Sequence, residues 1–281
     1  MFVVSFLNPN FSFRCLLLLI NQLKKGVNTD LVVRDLLKAA DIDGRMKIAF
    51  HLEPYHSRSV ESVRDDMEYI INNYGHHSCL YRGLDGRPVF YVYDSYHIYP
   101  AQWTRLLSES GDLSIRGTHL DAWVLGLWLH HFHGRDLKDS NFDGIYTYFG
   151  TDGFSYGSTS SNWESICEYC ERKDMICNLS VGPGYNDTLI RPWNSHNERS
   201  RNDGEYYNQM WKRAHQAAPR VVSVTTFNEW GEGTQIEPAR PWDPRTDERQ
   251  YLDYGKDGPF KYIHSTLLHS KKFLSQAKVE L

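Results

Sequence analysis

Glu229 and Glu232 stand three residues apart in the stretch TTFNEWGEGTQIEP, residues 225–238, with Trp230, Gly231 and Gly233 around them. Two carboxyls set close together can cleave a glycosidic bond: one protonates the leaving oxygen and the other acts on the opposite face of the sugar. The distance between the carboxyls decides which chemistry follows, and spacing along a chain does not fix it. Taken alone, an E-x-x-E at the end of an apolar run is equally well read as two solvated charges on a turn.

Other residues could complete such a site. His51 and Glu53 lie two apart at the end of MKIAFHLEP, and a strand's period of two puts both on one face. A carboxylate turned inward needs a partner or a function; a structural ion pair would also satisfy it. Tyr91, Tyr93, Asp94 and Tyr96 crowd the end of RPVFYVYDSY, and Tyr146 and Tyr148 the end of FDGIYTYFG. Tyr93 and Tyr148, nearest the ends of their runs, are the better candidates for contacting a ligand; several of these tyrosines could equally be core. The polar stretch GPGYNDTLIRPWNSHNERSR contains Arg191, a group suited to clamping a hydroxyl or a carboxylate. His130, His131 and His133 lack the spacing of zinc motifs and read as a solvated loop. Cys167 and Cys170 form a C-x-x-C inside a helical pattern, with no second pair to finish a metal site. No metal and no cofactor is expected.

The elements that must position these groups alternate. Strand patterns cover Met46–Pro54, Arg87–Tyr96, Ala122–His130, Phe142–Gly150, Met175–Gly184 and Arg220–Trp230. Helical patterns lie near 60–74, with Ser59 as N-cap, then near 101–109, 132–140, 162–174 and 204–217, and from Gly258-Pro259 onwards. Regular strand–helix alternation means parallel strands with helical crossovers. An open doubly wound sheet would carry a Gly-rich phosphate loop after a strand, and VGPGYND is not one. All six strand patterns instead run into aromatic, carboxylate or imidazole residues, the arrangement of a (β/α)8 barrel whose strand ends share one face. Six of eight strands are recognisable, so the barrel is expected to be incomplete.

Bulk composition narrows the function. The chain has 281 residues, 41% of them hydrophobic, enough for one large core. A formal net charge of −4 argues against nucleic-acid binding. Aromatics at 14% suit sugar stacking as well as a tyrosine-rich core. Five cysteines, an odd number in a long chain, do not make a disulfide scaffold. Residues 1–29 form an atypical segment that is neither a clear signal peptide nor a membrane span, because the unbroken run Leu16 to Ile20 is too short. Sequons begin at Asn10, Asn178 and Asn186, and Asn178 is expected to be buried in a strand.

The ordered elements FHLEPY, FYVYDSY, FDGIYTYF, SVGPGY, RPWN and FNEWGEGTQIE, spanning roughly Asp30 to Tyr254, resemble the endo-α-1,2-mannosidases of glycoside hydrolase family 99. That resemblance implies a (β/α)8 barrel over residues 30–281. It implies an endo-acting, retaining hydrolase that cuts α-1,2-mannosidic bonds in glucosylated high-mannose N-glycans and releases a glucosylated mannose in the Golgi apparatus, membrane-associated or lumenal. By the same resemblance Glu229 deprotonates the substrate's own 2-hydroxyl, which attacks the anomeric carbon to form a 1,2-anhydro sugar. Glu232 protonates the leaving oxygen and then activates water. His51, Glu53, Tyr93, Tyr148, Arg191 and Asn228 line the sugar subsites. The chain departs from the pattern twice. Gly231 stands where the animal enzymes carry His, and the family's first two strands, membrane anchor and stem are not recognisable. An inactive remnant or a glycan-binding protein of the same family is the competing expectation. A barrel enzyme with a carboxylate nucleophile is a third.

Overall fold

A computed structural model describes residues 2–7, 14–20, 29–240 and 253–276. The six strands read from the sequence are β3 (Met46–Leu52), β4 (Val89–Val92), β5 (Trp123–Leu127), β6 (Gly144–Tyr146), β7 (Ile176–Val181) and β8 (Val221–Val224). Each pairs in parallel with the next. Helices α2 (Val60–Tyr74), α3 (Pro100–Leu107), α4 (His133–Asp139), α5 (Trp163–Arg172) and α6 (Glu205–Ala217) fill the crossovers, and α7 (Lys261–Gln276) follows β8.

The ring is closed from within residues 1–29. Strand β2 (Arg14–Ile20) pairs in parallel with β3, and helix α1 (Thr29–Asp43) joins the two. Strand β1 (Phe2–Leu7) lies antiparallel between β2 and β8, with Val4 opposite Val224. The order is a closed barrel from β1 to β8. This corrects one expectation: the two sheet edges that a missing front would expose are paired. It also departs from a regular (β/α)8 barrel, in which every strand is parallel and followed by a helix.

Strand alternation sorts the side chains into two cores. Phe50, Phe90, Val92, Val124, Ile145, Leu179, Val222 and Val224 point outward under the helices, while Ala49, Val89, Tyr91, Leu125, Leu127, Tyr146 and Val221 fill the barrel. The helices answer with one apolar stripe each: on α2, Val60, Val63, Met67, Ile70 and Tyr74 are buried at three- and four-residue steps. Ser59 caps that helix as expected, its side chain accepting from the Ser62 N–H at 3.3 Å. Cys167 on α5 is disulfide-bonded to Cys177 on β7, so the C-x-x-C does not act as a unit; Cys170 stays a buried thiol.

At the opposite end of the barrel from the strand termini that matter below, Asp41 ties α1 to the segment before Cys79. Its carboxylate is 2.6 Å from His77 Nδ1 and accepts from Ser78 Oγ at 2.8 Å and the Cys79 N–H at 2.7 Å. Burial works to raise this carboxyl, but those hydrogen bonds outweigh it and hold it well below the usual range. A depressed folded-state pKa stabilises above the unfolded value and is lost as pH falls through it. Asp41→Asn is therefore expected to cost about 2 kcal/mol at neutral pH. Urea denaturation across pH should show that deficit shrinking below about pH 4.

Candidate active site

The candidate residues gather at the strand ends. His51 is the penultimate residue of β3 and points into the barrel, with no exposed surface. Its Nδ1 meets Glu53 Oε1 at 2.8 Å and its Nε2 meets the Tyr146 hydroxyl at 2.8 Å. A buried imidazole with both nitrogens engaged is held in one orientation, and it becomes the hub of an aromatic cluster. The rings of Tyr93 and Tyr148 lie 5.3 and 5.7 Å from it and 4.9 Å from each other, the last pair edge to face. Arg58 anchors the loop after β4 by donating to the carbonyls of Tyr93 and Asp94 at 2.7 and 2.6 Å.

Across the mouth, the loop after β8 is fixed before it presents its glutamates. Thr226 Oγ1 accepts from the Glu229 N–H at 2.9 Å and lies 2.8 Å from Thr234 Oγ1. The Trp230 N–H donates to the Asn228 carbonyl at 3.1 Å, and Trp230 Nε1 donates to Glu237 at 2.9 Å. Glu237 thus has a structural partner. Glu229 precedes a short 3-10 turn, Trp230–Glu232, that ends on Glu232, and Gly233 leaves it with a φ of +63°. The Glu232 carbonyl accepts from the Asn186 N–H at 2.9 Å, stitching this loop to the one after β7.

That second loop brings in Arg191, whose Nη1 lies 2.8 Å from Asp187 Oδ2 and 3.1 Å from Glu232 Oε1. Burial raises the Glu232 carboxyl; Arg191 opposes the rise, and the Glu229 and Asp187 charges add to it. Burial also pushes the Tyr93 phenol up, helped by Asp94, Glu53 and Glu232. The Tyr148 phenol rises for the same first reason, with Tyr93, Glu232, Glu53 and Glu229 adding. The same carboxylates therefore press on tyrosines from β4 and β6, so both sides of the mouth share one site. Both phenols stay neutral and can donate hydrogen bonds.

The residues named from the sequence fall together here. His51, Glu53, Tyr93, Tyr148, Arg191, Asn228, Glu229 and Glu232 all stand on strands or loops at the same end of the barrel. Tyr146 is a core tyrosine of the barrel and is also bonded to His51, while sequence reasoning missed Asp187 with its partners Tyr185 and Asn194. The i, i+4 step from Asp187 to Arg191 was the available signal. It also missed the glycine pair under the rim. A Cβ on Gly182 would sit 2.6 Å from the Gly150 Cα and 3.0 Å from the Thr225 carbonyl, so the loops after β6 and β7 approach backbone to backbone.

The other motifs resolve differently. His133 is buried and its Nδ1 accepts from the Leu129 and His130 N–H groups at 3.2 and 3.3 Å, closing a turn. Among the described residues, the group close enough to share a cation is Asp41, His77 and Cys79, whose atoms already bond one another. Asn178 is fully buried in β7 and bonded to Tyr91 and Ser223, while Asn186 is exposed. Asn10 lies outside the described residues. No helix among the described residues is long and apolar enough to cross a membrane.

Comparison with known proteins supplies the context. Residues 19–275 match the family model described as Glycosyl hydrolase family 99. The chain is 43% identical over 254 residues to the glycoprotein endo-alpha-1,2-mannosidase of Rattus norvegicus, covering 89% of this chain and 54% of that protein. It is 42% identical over 235 residues to the glycoprotein endo-alpha-1,2-mannosidase-like protein of Homo sapiens, covering 82% and 51%. The chain spans about half the length of these curated relatives. Among solved structures it is similar to the GH99 endo-alpha-mannosidase from Bacteroides thetaiotaomicron, with a TM-score of 0.85 and 38% identity over 92% of this chain and 74% of that one.

Proposed function

The chain belongs to glycosyl hydrolase family 99, and from that membership we propose that it is an endo-acting, retaining hydrolase of α-1,2-mannosidic bonds. Its substrate on this reading is a glucosylated high-mannose N-glycan, from which it frees a glucosylated mannose, and its place is N-glycan processing in the Golgi. The printed names of the relatives support this class of reaction.

One observation carries the reading. Glu232 is a half-buried carboxyl whose pKa desolvation raises, held 3.1 Å from Arg191 and three residues from Glu229, at the strand ends of a barrel lined with neutral tyrosines. A general acid must hold its proton at working pH, and the desolvation of Glu232 acts in that direction. In the proposed sequence Glu229 takes the proton from the 2-hydroxyl of the mannose whose bond breaks. The freed O2 attacks C1 while Glu232 gives its proton to the departing oxygen. Glu232, now a carboxylate, takes a proton from water, which opens the 1,2-anhydro ring at C1, and Glu229 returns its proton to O2. Two inversions at C1 give net retention. Tyr93, Tyr148, His51, Glu53, Asn228 and Arg191 hold the sugar hydroxyls.

The direct test is incubation of the purified chain with a glucosylated high-mannose glycan, reading the released sugar by mass. A glucosylated mannose is expected. Glycan binding without any release would instead identify a binding member of the family.

Gly231 bears on the same pair. A Cβ there would lie 3.1 Å from Glu229 Oε1 and 3.3 Å from Ile190 Cδ1, with no backbone obstacle among the closest atoms. Both side-chain ends must give by a few tenths of an ångström. Gly231→Ala is expected to lower kcat about tenfold by displacing the Glu229 carboxylate, with the thermal midpoint close to that of the parent.

A further inference from the structure

Resting on the function proposed above, we propose that Asp187 is a positioning residue that anchors Arg191 beside Glu232 and keeps that guanidinium from closing a full ion pair with the acid. Asp187 is only 1% exposed. A carboxylate that deep is costly unless its partners are complete. Here they are: the Tyr185 hydroxyl donates at 2.9 Å, Asn194 Nδ2 lies 3.0 and 2.9 Å from the two oxygens, and Arg191 Nη1 donates at 2.8 Å. The Asp187 carbonyl also accepts from the Ile190 and Arg191 N–H groups at 2.9 and 2.7 Å, which curls residues 187–191 into one turn.

The turn is placed against the acid by the Asn186 N–H, which donates to the Glu232 carbonyl at 2.9 Å. The same Nη1 then serves two carboxylates, with the shorter contact, 2.8 against 3.1 Å, going to Asp187. A guanidinium free of Asp187 could turn both arms of its fork on Glu232, the strongest form of that pair. Asp187 therefore holds Arg191 where it can reach a sugar hydroxyl without drawing the proton from the acid.

The groups facing Glu232 are Glu229 on its own loop, Arg191, Asp187 and Tyr185 on the loop after β7, Tyr93 after β4 and Tyr148 after β6. Removing the Asp187 charge acts in one direction. It deletes a negative neighbour of Glu232 and releases Arg191 to pair with it, and both changes make Glu232 lose its proton at lower pH.

Asp187→Asn, nearly identical in shape, is the test. The basic limb of the kcat–pH profile is expected to move to lower pH, and kcat at neutral pH to fall about tenfold, with a smaller change in KM. A merely structural role would reduce the folded fraction and leave the limb in place. Arg191→Gln, at a side chain 43% exposed, keeps the proposal open to test should the first variant fold poorly; its basic limb is expected to move to higher pH. A limb unmoved in either folded variant overturns the proposal. Should the parent chain release no glucosylated mannose, the functional reading fails. Asp187 is then judged by 13C-carboxyl NMR titration, with Glu232 assigned through Glu232→Gln. The Glu232 titration midpoint should fall in Asp187→Asn, and an unchanged midpoint rejects the role.

Discussion

Glu232→Gln is expected to lower kcat on a natural glycan about 1,000-fold, within the range that a positioned general acid contributes. The substitution keeps the side chain's volume and can keep the contact to Arg191 Nη1, so KM and the thermal midpoint should change little. What it removes is the proton, and mannose as a leaving group needs one because its alkoxide is strongly basic. The loss should therefore depend on the leaving group. An aryl mannoside whose phenol ionises near neutral pH departs without help, and on it the variant should recover most of the parent's rate for the bond-breaking step. Measuring kcat for both substrates separates an acid from a residue that only shapes the loop. An equal loss on both substrates, or none on the glycan, would remove Glu232 from the acid role.

Much of this site was legible in the sequence because strand periodicity is strong and the barrel puts every strand end on one face. His51 and Glu53, two apart, do face the same way, and the Glu53 carboxylate meets His51 Nδ1 at 2.8 Å rather than the arginine considered for it. Ser59 was readable as a cap because its chemistry is local. The closure of the barrel was not legible. Strand β1 pairs antiparallel at one edge with β8, more than 200 residues away, and no local pattern encodes a register of that range. The disulfide escaped for a similar reason. Cys167 and Cys170 advertise themselves by spacing, yet the bond forms between Cys167 and Cys177, which the turn from α5 into β7 brings to a Cα separation of 5.5 Å. Asp187 escaped because a carboxylate in a polar loop reads as solvated, and only the fold shows it sealed under Tyr185 and Asn194.

Glu229→Gln should also cost about 1,000-fold in kcat, and the way it fails distinguishes the two roles open to this residue. A base that deprotonates the substrate's 2-hydroxyl and a nucleophile that attacks C1 itself both need an ionised carboxylate beside the sugar. They differ in which oxygen bonds to C1. On the nucleophile reading the parent enzyme forms an ester between Glu229 and the sugar. A 2-deoxy-2-fluoro mannoside with a good leaving group would slow hydrolysis of that ester and leave a glycosyl adduct, visible as a mass increase on the peptide holding Glu229. On the base reading the same compound lacks the attacking oxygen, so it binds, does not react, and leaves the protein mass unchanged. The mechanism proposed above expects the second outcome. The Glu229 N–H is pinned to Thr226 Oγ1, Gly231 leaves its carboxylate close packing space on one side, and the neighbouring acid is held by an arginine shared with Asp187. Such contacts preset the loop that carries both carboxyls before a sugar arrives. An adduct on Glu229 would assign the bond to C1 to the protein and retire the role of the 2-hydroxyl.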